Sequence, residues 1–269
     1  MKANQPIGIF DSGIGGLTVA NAIRRILPKE NLIYFGDTAH LPYGDKSASA
    51  IRHYSHRIAD FLLEKKCKTV IIACNTASSV AFNTTKKHVG ENAVVMNVID
   101  PVTSYVAVKY PKGKIGVIGT KGTINSRVYV RRINKLNEKL NVTSLATPLL
   151  APMIEEGFFN NYISRTIINN YLSKNSIQHI NALILACTHY PLIKKEVHEY
   201  YQKKTEIIDS AEIVAKAVKT KLTKKKLLSS QATSPKHRFF VSDYTKAFEE
   251  STRIFFKGEI HLRKADIWG

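Results

Sequence analysis

"VIIACNTASS", residues 70–79, runs from four apolar residues into a cysteine and then into small amide and hydroxyl side chains; "LILACTHYPL", residues 183–192, repeats the arrangement. Each apolar run is too short for a helix and reads as a buried strand. Each cysteine, Cys74 and Cys187, then stands at a strand's carboxyl end. The chain has only three cysteines, so two of them occupy equivalent places.

Working outward, "PIGIF" (6–10), "NLIYFGD" (31–37), "TVIIAC" (69–74) and "VVMNVID" (94–100) read as strands, while "LTVANAIRRIL" and "SASAIRHYSHRIADFLLEKK" carry apolar residues at helical spacing. This alternation predicts a parallel sheet covered by helices. The order returns with "KIGVIGT" (114–120), "VTSLATPLL" (142–150), "NALILAC" (181–187) and "TEIIDS" (205–210). Ile7-Gly8 pairs with Ile115-Gly116, Asn31 with Asn141, Cys74 with Cys187, and Ile99-Asp100 with Ile208-Asp209, at offsets of 108, 110, 113 and 109 residues. So constant an offset indicates an internal duplication. The expected fold is α/β: two similar tandem domains, each a parallel sheet flanked by helices, with the active site in the cleft between them. The tail from 211 holds a helix ("AEIVAKAVKTKLTKKKLL"), a strand ("RFFVSDY") and a helix ("TKAFEESTRIFF"). It is expected to complete the first domain, giving 1–100 plus about 211–269 as one unit and 101–210 as the other.

At 269 residues, 44% hydrophobic and 23% charged, the chain has the composition of a globular protein and enough length for a substantial core. The N-terminus lacks a signal core, and no window approaches the roughly 18 apolar residues of a membrane span; the expectation is a cytoplasmic protein without a membrane partner. An odd cysteine count without a secretion signal predicts reduced thiols. Cys67, in "EKKCKT", reads as a packing or solvent-facing residue. The net charge of +19 raises nucleic-acid binding, but the basic residues are dispersed and no zinc spacing, RNP-type aromatic motif or recognition helix accompanies them. Specific nucleic-acid binding is not expected.

Ligands of open parallel sheets bind at the carboxyl ends of strands. Two domains facing each other across a cleft would bring Cys74 and Cys187 to opposite sides of one ligand. "CNTAS" and "CTHYPL" supply Asn75, Thr76, Thr188 and Pro191, residue types that open helices, and a helix N-terminus favours a thiolate and can hold a carboxylate. A thiol near its ordinary pKa of about 8.5 can serve as acid and its thiolate as base. A single base returning a proton to one face retains configuration, whereas two on opposite faces invert it. The duplicated cysteine therefore points to racemisation or epimerisation at a carbon acid. A cysteine hydrolase would need one nucleophile, not a pair.

"IGIFDSGIGGLTV" lacks the ending of a phosphate loop and the G-x-G-x-x-G spacing. It reads as a glycine-lined ligand floor in which Asp11 binds an ammonium group, assists a thiol, or caps a helix. Tyr43 and Gly44 lie in a turn-rich loop, "DTAHLPYGDKS", able to cover the cleft. His189, two residues beyond Cys187, is placed to tune that thiol. His53, His56 and His198 have no partners at ligand spacing, and no metal site is assigned.

"GIFDSGIGGLTV", "YFGDTAHLPYGDKS", "ACNTAS" and "LACTHYPL", in this order, resemble the glutamate racemases of the aspartate/glutamate racemase family, over Ile7 to about Asp209. The resemblance implies a cofactor-independent isomerase that interconverts L- and D-glutamate and supplies D-glutamate to bacterial peptidoglycan synthesis, with glutamate as partner and a homodimer admitted. It implies Cys74 and Cys187 as the acid/base thiols, serving the D and L forms respectively, with Asp11 and His189 assisting. It implies Asp11, Ser12, Tyr43, Gly44, Asn75, Thr76, Thr188 and His189 as substrate contacts, and Glu155 of "APMIEEG" as the family's glutamate before a glycine, Glu156 being adjacent. Aspartate and hydantoin racemases are the nearest rivals. The chain departs from the family where Cys-Pro is expected: it has Thr147-Pro148.

Overall fold

A computed structural model describes residues 1–256, 258 and 260–268. Among the described residues ten strands form two separate sheets: β1 (Ile7–Asp11), β2 (Leu32–Gly36), β3 (Thr69–Ile72), β4 (Val94–Asn97), β5 (Gly113–Gly119), β6 (Leu140–Ala146), β7 (Ala182–Ala186), β8 (Glu206–Asp209), β9 (Arg238–Val241) and β10 (Leu262–Lys264). The first sheet has the order β10-β9-β2-β1-β3-β4 and the second β6-β5-β7-β8, with every pairing parallel.

Stripped of β9 and β10, the sheets share one topology. Ile7 pairs with Leu32 and Thr69, and Ile115 with Val142 and Ala182, so the offsets of 108, 110 and 113 residues hold strand by strand. The fourth does not. Ile72 pairs with Asn97 and Leu185 with Asp209, which makes Asn97 the counterpart of Asp209. Both cap the helix that follows: Asn97 Oδ1 accepts from the amides of Ile99 and Asp100 at 2.8 Å, and Asp209 Oδ1 from that of Ala211 at 2.9 Å. The shared Ile-Asp dipeptide misaligned this pair, because Ile99 already belongs to the helix Ile99–Lys109. The strand read over 94–100 accordingly ends at Asn97. The one read over 142–150 ends at Ala146, with a helix opening at Leu150.

The central strands are buried on both faces. Ile7 and Ile9 of β1 join one apolar cluster and Phe10 another; Ile71 of β3 points with the former, Val70 and Ile72 with the latter. This is the period-two alternation of a strand sandwiched between helices. The tail supplies a helix, Ser210–Lys224, packed on Leu17–Ile26 and Ile99–Lys109, and two strands to the first sheet. The sequence pattern anticipated β9 but not β10, whose three residues, "LRK", have no apolar alternation.

Candidate active site

Cys74 follows β3 by two residues and is itself the N-cap of the helix Asn75–Val89, its Sγ accepting from the amide of Ala77 at 3.4 Å. The capping expected of Asn75 and Thr76 therefore falls to the thiol. Cys187 follows β7 directly, but no α-helix opens there. A 3₁₀ turn, Tyr190–Ile193, with Pro191 in its first positions, precedes the helix Lys194–Tyr200. The expectation that both thiols sit at helix N-termini holds for Cys74 and fails for Cys187.

Both thiols line one cavity of about 200 Å³, which is small for a drug-like ligand and suited to an amino acid. Its wall is drawn evenly from the two sheets' loops. Ser12, Leu41, Pro42, Tyr43, Gly44, Cys74, Asn75 and Thr76 come from one side, and Thr120, Ala151, Pro152, Glu155, Ala186, Cys187, Thr188 and His189 from the other. Of the residues named as catalytic or substrate-binding, Asp11 alone is not in the wall. Glu155 is, whereas its neighbour Glu156 is exposed. Thr120 was missed, although the duplication marks it: 108 residues beyond Ser12, it follows β5 as Ser12 follows β1. It bonds to Thr76 at 2.9 Å between hydroxyls, joining the two sides.

The glycine-rich start is less a ligand floor than a joint. A Cβ on Gly15 would lie 2.5 Å from His189 Cε1 and 2.7 Å from Thr188 Oγ1, and one on Gly16 would lie 2.6 Å from Asp11 Cβ; only hydrogen in place of a methyl lets the histidine pack there. Thr18 Oγ1 donates to the Thr188 carbonyl at 3.2 Å, adding a second tie.

The two thiols have different company. Asp11 is fully buried behind Cys74; its Oδ2 accepts from the amides of Gly16 (3.0 Å) and Gly13 (3.3 Å), and its Oδ1 has no partner among the described residues. Burial raises the Asp11 pKa, opposed by the charge of His189 and the two amides. Burial, reinforced by the Asp11 charge, pushes the Cys74 thiol up to about 12 against the Ala77 amide. Desolvation here works against the thiolate that the amide dipoles of this helix end favour. Beside Cys187, His189 Nδ1 stands 3.6 Å from Sγ and Nε2 is 2.8 Å from Glu155 Oε1, close but poorly aligned for a hydrogen bond. Burial works against the imidazolium, yet Cys187 and Glu155 together hold His189 well above its ordinary value. The Phe255 ring, from the tail helix Lys246–Phe255, packs nearly perpendicular to His189 with ring centroids 5.4 Å apart.

Tyr43 does not offer its hydroxyl to the cavity: it donates to Asp37 Oδ2 at 2.6 Å, and Ser242 Oγ, just beyond β9, donates to Asp37 Oδ1 at 2.8 Å. The tail therefore anchors the covering loop. Thr147, where the family pattern has cysteine, is buried, with Oγ1 2.8 Å from the Tyr190 hydroxyl and 3.3 Å from the Gly119 carbonyl. A hydroxyl makes both bonds better than a thiol. Cys67 packs in the core near Gly8 and Leu62 and is pushed up to about 12 by burial.

A fold of two like α/β halves with a thiol from each in one cavity defines a class of isomerase, and the family described as Asp/Glu/hydantoin racemase matches residues 15–218. The chain belongs to that family. Within it the chain is similar to the glutamate racemase of Chlorobaculum parvum, at 41% identity over 97% of this chain and 95% of the relative. Among solved structures, the Francisella tularensis glutamate racemase in complex with D-glutamate matches with a TM-score of 0.92 at 37% identity, covering 99% of both chains. The Thermus thermophilus glutamate racemase in complex with β-chloro-D-alanine matches with a TM-score of 0.87 at 32% identity, covering 99% of this chain and all of the other.

Proposed function

We propose that this chain interconverts L- and D-glutamate without a cofactor, with Cys74 and Cys187 as the two acid/base groups. The observation that carries the reading is the pair of thiols, one from each half, in the wall of a single amino-acid-sized cavity. One thiolate removes the Cα proton, breaking C–H and forming S–H; the opposite thiol delivers its proton to the other face, and configuration inverts. Hydrogen-bond donors at Asn75, Thr76 and Thr188 would hold the substrate carboxylate, which is charged before and during proton removal. Asp11 assists Cys74 from behind, and His189, steadied by Glu155, assists Cys187. Cys74 serves the D form and Cys187 the L form.

The likeness to a racemase solved with D-glutamate supports glutamate as substrate, and the product suits peptidoglycan synthesis. Among the described residues no helix is long and apolar enough to cross a membrane, which accords with a cytoplasmic enzyme. The division into 1–100 with 211–269, and 101–210, is part of the same reading, supported by the strands that each sheet recruits.

In deuterated water the wild type should wash deuterium into Cα of both enantiomers, and Cys74→Ser and Cys187→Ser should each lose about 10²–10⁴-fold in racemisation. Either variant racemising at the normal rate rules out the two-thiol reading. Faster turnover of aspartate than of glutamate would move the chain to the rival substrate.

A further inference from the structure

Asn75 is a buried cavity residue with half of its amide unexplained. It is 3% exposed; its Oδ1 accepts a hydrogen bond from the Tyr129 hydroxyl at 2.7 Å, and its Nδ2 is buried without a partner among the described residues. Buried side-chain donors are rarely left unmade, because each costs about 1–3 kcal/mol. Asn75 belongs to the cavity wall, so the acceptor that its amide lacks can come from a bound ligand. Tyr129 comes from the other half of the molecule, on the helix Val128–Leu136, is 2% exposed, and is not part of the cavity wall. Asn75 Oδ1 is the one hydrogen-bond partner of its hydroxyl among the described residues.

We infer that Tyr129 is a positioning residue: by donating to Asn75 Oδ1 it fixes the amide with Nδ2, not Oδ1, left to meet the substrate carboxylate. Reversed, the amide would turn its carbonyl oxygen on the carboxylate, and the Tyr129 proton would lose its acceptor. Burial, with Cys187 and Asp100 nearby, raises the phenol far above its ordinary range, so that the hydroxyl keeps the proton it donates. The bond also crosses between the halves beside the Thr76–Thr120 contact. The binding-competent amide therefore exists only when the halves are docked as they are here.

The inference rests on the proposed racemase reading for its substrate, and two readouts keep them apart. In steady-state assays Tyr129→Phe should raise KM for both glutamate enantiomers roughly tenfold, with kcat changed less than about twofold, as when one charge-assisted bond common to ground and transition states is lost. In an Asn75→Ala background the same substitution should change KM less than about twofold. An unchanged KM in the single variant, or an equal rise in both backgrounds, overturns the inference. Independently of turnover, the Asn75 side-chain ¹⁵N resonance should shift when the wild type is titrated with glutamate or aspartate, and shift less in Tyr129→Phe. No shift with either amino acid overturns the inference, even in an active enzyme. A wild type that turns over neither overturns the racemase reading, and the resonance still decides the role of Tyr129.

Discussion

The two walls of the cavity descend from one backbone plan and have diverged in the groups behind the thiols. On the first side a carboxylate, Asp11, lies behind Cys74 at the start of a 15-residue helix; on the second an imidazole, His189, braced by Glu155, stands beside Cys187 where no α-helix begins. The parallel extends one layer back. The first residue after β2, Asp37, and the first after β6, Thr147, donate their amides to Asp11 and Gly119 respectively, and each holds a buried tyrosine hydroxyl, of Tyr43 and Tyr190. At the opposite end of the strands, β3 is preceded by Lys68, buried in an ion pair with Glu30 at 2.5 Å, while β7 is preceded by Asn181, whose Oδ1 accepts from the Lys114 amide. The lesson is that a duplicated scaffold keeps strand register and loop positions, which packing enforces, and is free to exchange the polar groups that those positions carry.

The largest test of this comparison is at the far end. Glu30→Ala leaves a buried ammonium without its carboxylate and should cost about 3–5 kcal/mol, read as a lower urea midpoint at unchanged slope. A loss below about 1 kcal/mol would mean that the first half does not depend on the pair that the second half lacks.

His189→Asn removes the positive charge beside Cys187. It should lower kcat/KM by about 1.5–3 kcal/mol in barrier, roughly tenfold to a hundredfold. The fall must be equal for both enantiomers, because their equilibrium constant is one. The asymmetry shows instead in alkylation: iodoacetamide should react more slowly with Cys187 in this variant, while Cys74, protonated well above neutral pH, stays slow in both until the solution is made strongly alkaline. Equal slowing of both thiols would contradict a division of labour between the walls.

Asp11→Asn probes the other wall with a smaller effect on stability and of opposite sign. A carboxyl whose pKa is higher folded than unfolded gives its stabilisation below the unfolded value, about 3.8, and loses it as pH rises through the folded value. Asparagine keeps the acceptor for Gly13 and Gly16 without the charge, so the variant should melt above the wild type at pH 7. The gap should close as pH falls through the carboxylate range, and activity should drop at pH 7. A variant that melts below the wild type at pH 7 would show that the His189 charge outweighs burial.

Thr147→Cys, which restores the family pattern, should have the smallest effect. Loss of a good bond to Tyr190 should cost about 1 kcal/mol, seen in thermal melts, with kcat unchanged. A tenfold change in kcat would place this layer closer to the chemistry than the geometry suggests.

Most of the scaffold and ten of the sixteen wall residues were legible in the amino-acid order. Strands buried on both faces leave unbroken apolar runs, and a duplication leaves its offset, so "VIIAC" and "LILAC" marked the two thiols and Thr120 could have been found from Ser12. What local pattern could not decide was burial and company. Desolvation of Cys74 and Asp11 depends on what packs over them, and it opposes the ionised thiol that a helix end favours. The short strand β10, the removal of Asp11 from the wall and the use of Gly15 as a seat for His189 are set by contacts far apart along the chain. So is the hydrogen bond from Tyr129 to Asn75, made across 54 residues. Periodicity and spacing record which backbone elements form; which polar groups meet, and in what dielectric, is decided only when those elements are packed together.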